Sequence, residues 1–275
     1  MGLKFTKVGT LEPDTLMIVD GLNMAFKYLD NEEWTSAYIG MVNSLRRSYK
    51  AGKVVIACDQ GASSFRKALY PAYKQNRKDR QATQTEEEAE KFAQFFNCWQ
   101  ETIEVLKQEF PVIQFPGVEA DDIAAYIVKN RKAFGLEKIW LISSDGDWDL
   151  LIAENVSRFS YVTRKERTLE NWSEKYECTV DELVDLKALM GDPGDNIIGI
   201  ESVGPKRALA LIREYGGSFD IIEALPLAGK YKYIQQVNKA AEKIELNMQL
   251  VDLLTYCEDA IGVANLCKIN EVFNG

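Results

Sequence analysis

The segment Ile139-Trp140-Leu141-Ile142-Ser143-Ser144 runs largely apolar and then stops in Asp145-Gly146-Asp147-Trp148-Asp149, three carboxylates at alternate positions. Two other short apolar runs stop in the same way, residues 16–19 at Asp20-Gly21 and residues 54–58 at Asp59-Gln60-Gly61. Runs of this length bounded by turn residues mark buried strands. Between these two, residues 37–49 place Ile39, Val42, Leu45 and Tyr49 at roughly helical spacing, so the order is strand, helix, strand. In an open parallel sheet the carboxyl ends of the strands share one edge, and ligands bind there. Asp20, Asp59 and Asp145 are therefore expected together on that edge.

The rest of the chain extends the pattern. Residues 1–14 are mixed and end in Glu-Pro-Asp, which predicts a loosely held terminus. Thr85-Glu86-Glu87-Glu88 reads as an N-cap and acidic first turn for a long helix through Glu109. Residues 112–115 read as a third strand, Pro116-Gly117 as a turn, and residues 118–130 as a helix that opens with Glu119, Asp121 and Asp122. Residues 139–143 make the fourth strand and residues 157–163 a further one. Helix 180–190, the tight acidic turn Gly191-Asp192-Pro193-Gly194-Asp195-Asn196 and a second helix ending at Tyr215 follow. The remainder reads as helices with a loop near Pro226.

Glu119 and Asp122 share a helix face, whereas Asp121 is turned about 100° from Asp122. So many carboxylates at one edge repel, at about 4 kcal/mol per pair 4 Å apart for an effective dielectric of 20. Divalent cations remove the conflict. The chain has no histidine, and all-oxygen donors favour Mg²⁺ or Mn²⁺ over zinc. Two such ions about 4 Å apart suit in-line phosphodiester hydrolysis. The plainer reading of one aspartate after a strand is a helix cap or turn former. Asp145, Asp147 and Asp149 superficially match a calcium loop, but Leu150 stands where that loop needs glycine. Asp149 is the member least tied to the cluster, and Trp140 and Trp148 read as core.

A net charge of -9 argues, taken alone, against a nucleic-acid partner. The basic residues are not spread evenly, however. Arg66, Lys67, Lys74, Arg77, Lys78 and Arg80 fall in one stretch, interleaved with Phe65, Tyr70 and Tyr73. Such a stretch is either a solvated helix face or a nucleic-acid contact, and interleaved aromatics favour the latter. Residues 199–215 suit a helix-hairpin-helix, in which Gly204 permits close approach, helix-start amides face a phosphate, and Lys206 and Arg207 add charge. Five cysteines without a CxxC pair fit a reducing, cytoplasmic setting. No signal peptide is legible and no apolar run approaches the ~18 residues of a membrane span.

Ile18-Val19-Asp20-Gly21, Val118-Glu119-Ala120-Asp121-Asp122, Ser144-Asp145-Gly146-Asp147-Trp148-Asp149 and Met190-Gly191-Asp192-Pro193-Gly194-Asp195-Asn196, followed by the hairpin, together resemble the 5′ nuclease (flap endonuclease) family. The match is nearest its stand-alone bacteriophage members, which are similar to the 5′ nuclease domain of bacterial DNA polymerase I. It runs from about Leu16 to Tyr215. The resemblance implies an α/β fold: a PIN-like core with a mostly parallel central sheet and helices on both faces, a helical arch, and a C-terminal helical region with the hairpin. The expected division is residues 1–178 for the core, with the arch at about 62–109, and residues 179–275 for the helical region, with the hairpin at about 183–215.

By position, the resemblance assigns Asp20, Asp59, Glu119, Asp121 and Asp145 to a first metal cluster, completes a second with Asp147, Asp192 and Asp195, and matches Asp122 to a further family acid. Lys74 and Arg77 match arch residues that contact the scissile phosphate, Tyr73 one that stacks on a nucleotide, and Arg66, Lys78 and Arg80 add DNA contacts. The hairpin is expected to bind duplex backbone with a K⁺ ion on main-chain carbonyls, although Ser202 stands where many members have glycine. The implied protein is a monomeric, Mg²⁺-dependent 5′ nuclease acting on branched or 5′-ended DNA, coupled in trans to a polymerase. Two other readings stay open: a DNA-junction binder with structural ions, and a small-molecule phosphohydrolase using the same acidic edge.

Overall fold

The computed structural model describes residues 10–274. Its centre is β1 (Glu12–Asp20), which pairs in parallel with β2 (Ala51–Cys58) on one side and β4 (Lys138–Ile142) on the other. β3 (Val112–Gln114) lies outside β2, β5 (Val156–Ser160) outside β4, and β6 (Lys165–Arg167) closes the sheet antiparallel to β5, giving the order β3-β2-β1-β4-β5-β6. Both faces of β1 are covered, so it reads as a continuous apolar run. Its side chains still alternate: Leu16 and Ile18 belong to one core layer, Met17 and Val19 to the other. Each such burial contributes about 1.5–3 kcal/mol.

Strand order reverses between β1 and β4. The chain steps outward from β1 to β2 to β3, then returns to the far side of β1, and that crevice is where ligands bind in open α/β sheets. Register levels the strand ends, with Val19 opposite Ile142 and Asp20 opposite Ala57. Asp20 ends β1, Asp59 follows β2 and Asp145 follows β4, so all three reach the same edge as expected.

Helices α1 (Gly21–Ala25), α2 (Thr35–Ser48), α3 (Ser64–Leu69), α4 (Gln75–Ala82), α5 (Glu86–Glu109) and α6 (Ala120–Lys129) belong to the sheet layers or the segment bridging them. α5 starts at a capping box formed by Thr85 and Glu88. It buries Phe95, Trp99, Ile103 and Leu106 beside α2, a stripe with helical spacing, whereas its first two turns stay largely exposed and, with α4, stand clear of the core. α6 is buried nearly all round, one side on the sheet and the other under a later helix.

Beyond α7 (Val180–Met190), the two-residue strands β7 (Gly191–Asp192) and β8 (Ile197–Ile198) frame the acidic turn. There follow α8 (Pro205–Tyr215), α9 (Ser218–Glu223), α10 (Lys232–Val237), α11 (Ala241–Val251), α12 (Leu253–Ile261) and α13 (Val263–Asn274). α8 to α11 share a separate core that includes Leu211, Ile221, Val237 and Ile244. α12 and α13 turn back, placing Cys257, Ile261 and Ile269 in the α6 layer.

One expectation is corrected, and one strand is new. Of the loosely held terminus, residues 1–9 lie outside the described residues, but Glu12, Pro13 and Asp14 already belong to β1, and the Glu12 amide donates to the Lys50 carbonyl at 2.7 Å. β6 escaped the sequence reading because Lys165-Glu166-Arg167 is a short, charged edge strand without an apolar face. No helix of the described residues is long and apolar enough to cross a membrane.

Candidate active site

Each edge aspartate performs the bland task as well as gathering with the others. Asp20 caps α1 by accepting the Asn23 amide, and it accepts the Ser143 hydroxyl at 2.6 Å. Asp59 accepts the Ala120 amide at 2.7 Å, at the start of α6. Asp145 accepts the Asp147 amide at 2.9 Å, and Asp121 accepts the indole N–H of Trp148 at 2.6 Å. A carboxylate offers about four lone pairs, so these bonds orient each group and leave acceptor capacity over.

Burial, and then the charges of Asp59 and Asp145, push the Asp20 carboxyl well above its ordinary range. Burial raises Asp59 too, opposed by the Ala120 amide and reinforced by Glu119. Burial likewise raises Asp121, where Lys74 only partly offsets Asp145, Asp59 and Asp20. These four are a mutually repelling set with no ion pair among the described residues.

A second set carries its own cations. Lys74 Nζ lies 2.7 Å from Glu119 Oε1 and 3.5 Å from Asp195 Oδ2, and Arg77 reaches Asp195 Oδ1 at 2.7 Å. The Tyr73 hydroxyl sits 3.0 Å from Glu119 and 2.9 Å from Asp195. Lys187 bridges Asp147 at 2.7 Å and Asp192 at 2.5 Å. Burial alone would raise Glu119 and Asp192, but Lys74 and Arg66 beside the first, and Lys187 beside the second, hold both below the ordinary range. Lys74 takes a left-handed backbone (φ 54°), which costs about 1–3 kcal/mol and is held by its amide donating to the Asp195 carbonyl at 2.9 Å.

Among the described residues no three acidic or cysteine side chains close on a common point as metal ligands do. The first set repels itself, and lysines and arginines stand between members of the second. The donor set nonetheless fits hard divalent ions: every candidate is a carboxylate, and a cavity of about 10 Å³, one water-sized sphere, is lined by Tyr73, Asp121, Asp147, Lys187, Asp192 and Asp195.

Several expected roles change. Asp122 is 0% exposed and both its oxygens are taken by Arg66, at 2.9 and 2.8 Å, so it has no face for a metal. Arg66 is itself 1% exposed, also bonding Glu119 and the Leu250 carbonyl, and it cannot meet DNA. Tyr73 is 2% exposed, its ring packed beneath Arg66 and Lys74, which leaves no face for a base. Asp149 is buried against Arg158, Lys175 and Tyr176 and belongs to the framework. Lys78 and Arg80 are exposed on α4.

In the hairpin, Gly191 (φ 76°) and Gly199 are required, because a Cβ on Gly199 would lie 2.0 Å from the Met190 carbonyl oxygen. Gly204 is different: a Cβ there would meet nothing within 4 Å, so the room it leaves faces outward from the start of α8. Lys206 is exposed beside it. Arg207 donates to the Ser202 carbonyl at 2.7 Å, and Ser202 adopts the left-handed conformation (φ 65°) that glycine would take without strain. Lys187, Ser143 and the Trp148 indole N–H were missed by sequence reasoning. Lys187 sits five residues before Asp192, but a lone lysine near a helix end reads first as a dipole partner.

The chain matches the family model of the 5′-3′ exonuclease N-terminal resolvase-like domain over residues 15–177 and that of the 5′-3′ exonuclease C-terminal SAM fold over residues 178–272. It is 46% identical to the flap endonuclease of Escherichia phage T5 over 251 residues, 90% of this chain and 86% of that protein. DNA polymerase I of Deinococcus radiodurans is 33% identical over 227 residues, 78% of this chain but 22% of that longer protein. The crystal structure of the bacteriophage T5 flap endonuclease in a pseudo-enzyme-product complex with DNA and metal ions superposes with a TM-score of 0.90 at 43% identity, covering 95% of this chain and all of that one. With its paired acidic sets at the sheet's switch point, this chain belongs to the 5′-3′ exonuclease and flap endonuclease family.

Proposed function

We propose that this protein is a structure-specific 5′ nuclease that hydrolyses phosphodiester bonds near the single-strand/duplex junction of branched or 5′-ended DNA, with Mg²⁺ as its working ion and Mn²⁺ as a substitute. The observation that carries the reading is the repelling set Asp20, Asp59, Asp121 and Asp145 beside Lys74 and Arg77. Asp20, Asp59, Asp121 and Asp145 would hold one ion, and Asp147, Asp192 and Asp195 a second. When bound, such ions supply a nucleophile at neutral pH and neutralise charge on the phosphate.

The chain's own residues do the rest. Ser143, the Ala120 amide and the Trp148 indole hold the first set of carboxylates in orientation before substrate arrives. Lys74 and Arg77 are paired with Glu119 and Asp195, and a phosphate entering between them offers the same charge-assisted bonds, so both cations pass from carboxylate to phosphate. There they stabilise charge that builds as the P–O bond breaks. The exposed α4 and the outward-facing start of α8 then divide the DNA, single strand against the first and duplex backbone against the second.

The test is Asp145→Asn with a 5′-flap substrate in Mg²⁺. Loss of strand cleavage with retained flap binding is the expected result, and near-normal turnover would overturn the mechanism.

A further inference from the structure

Residues 229–233 read Gly-Lys-Tyr-Lys-Tyr and form an exposed strap into the first turn of α10. Tyr231 is 63% exposed and stacks on Tyr233, with ring centroids 6.0 Å apart. The strap is fixed rather than loose. Gln235 donates to the Gly229 carbonyl at 2.8 Å, and Asn238 makes two bonds to the Leu227 backbone, at 2.7 and 2.9 Å. Two contacts tie it to the hairpin: Arg207 in the first turn of α8 lies 5.0 Å from the centre of the Tyr233 ring, and Lys232 pairs with Glu201 in the hairpin turn. The strap is thus a fixed, basic, aromatic surface against Arg207, in a chain whose net charge is -9.

We propose that this strap is a second contact for duplex DNA, continuing the hairpin surface and binding backbone phosphates through Lys230 and Lys232. Duplex rather than single strand is favoured because the Tyr233 ring is already committed to Tyr231 and Arg207, so the strap presents charge and hydroxyls more than free ring faces. Lys232 also offsets Glu201, the carboxylate that would otherwise repel a phosphate along this path. Pre-ordering lowers the entropy cost of binding. The inference rests on the reading that the hairpin holds duplex.

The test uses the full chain and fluorescence anisotropy in EDTA, with three DNAs: a 5′-flap with a long duplex arm, the same flap with a short arm, and a single strand. For Lys230→Ala/Lys232→Ala, affinity for the long-arm flap falls about tenfold near 0.1 M salt, and the slope of log affinity against log salt shrinks by about 1 per lysine. Short-arm flap and single-strand binding stay unchanged, as does cleavage rate at saturating substrate. Unchanged long-arm affinity and slope overturn the proposal, and an equal loss on single strand overturns its assignment to duplex. Lys206→Ala separates the two readings. If it weakens long-arm binding while the strap variant does not, only the strap fails; if neither weakens it, the hairpin reading fails as well. The substituted side chains are exposed, and unchanged thermal unfolding verifies that the fold is intact.

Discussion

Asp20, Asp59, Asp121 and Asp145 meet at the sheet edge with no lysine or arginine ion-paired to any of them among the described residues, whereas Glu119, Asp195, Asp147 and Asp192 are each bridged by a cation of the protein. Asp122 with Arg66, and Asp149 with Arg158 and Lys175, carry the second condition further, to complete internal neutralisation. Carboxylates of similar sequence context thus fall into groups that await external charge and groups that do not. Burial raises Asp20, Asp59 and Asp121, and the hydrogen bonds and nearby cations that favour their ionised forms offset it only in part; in Glu119, Asp149 and Asp192 the partner's charge overcomes burial. Asp122 shows that pairing does not always win, for its carboxyl stays raised by burial despite Arg66.

The largest effect is expected where neutralisation is complete. Arg66→Met strands Asp122 in the interior and removes one partner of Glu119, a loss of about 3–5 kcal/mol in unfolding free energy. Adding Asp122→Leu restores most of it, because a buried pair replaced by apolar groups of similar volume is close to neutral. Chemical denaturation of the two variants decides. A mild loss in the single variant would mean that Asp122 takes up a proton at little cost and that the pair does not organise the core.

The uncompensated set should respond in the opposite sense. Asp121→Asn removes one repelling charge while keeping an oxygen for the Trp148 indole, so the metal-free protein melts at higher temperature than wild type. The same change lowers cleavage by about 10²–10³-fold, the usual consequence of deleting one pre-oriented charge-stabilising group. Mg²⁺ should raise the melting temperature of wild type by mass action on the folded state and raise that of the variant less. Destabilisation of the metal-free variant would remove the distinction between the two sets.

The edge placement of Asp20, Asp59 and Asp145 was legible because it follows from strand ends and parallel topology, both carried by local apolar runs. Pairing was not legible. Asp122 and Asp121 are adjacent in sequence, yet one turns to Arg66, 56 residues away, and the other to Trp148, 27 residues away. Arg66 and Tyr73 belong to a basic-aromatic stretch whose composition signals a surface, and they are buried because α11 and α6 close over them, a tertiary event with no local trace. Lys78 and Arg80 share that composition and are exposed. Composition located the basic segment without saying which of its members turn inward.

Lys187 offers the finest test of the comparison, because it stands between two carboxylates assigned to an ion. A unit charge about 4 Å from another is worth about 4 kcal/mol at an effective dielectric of 20, so a bound divalent cation must outweigh Lys187 before it can hold Asp147 and Asp192. Against this, Lys187 keeps the two carboxylates from moving apart. Repulsion acts on both charges of the cation, while the organising contribution is that of an ion pair, a few tenths to about 1 kcal/mol, so the first dominates. Lys187→Met should therefore tighten binding of Mg²⁺ at the Asp147 and Asp192 carboxylates by about tenfold, or 1.4 kcal/mol, read by calorimetric titration in the absence of DNA. Unchanged affinity would mean that the lysine swings aside at no cost. Weaker binding would make Lys187 an organiser of the site, and the cation-bridged set would then be prepared for metal by the protein's own charges rather than closed to it.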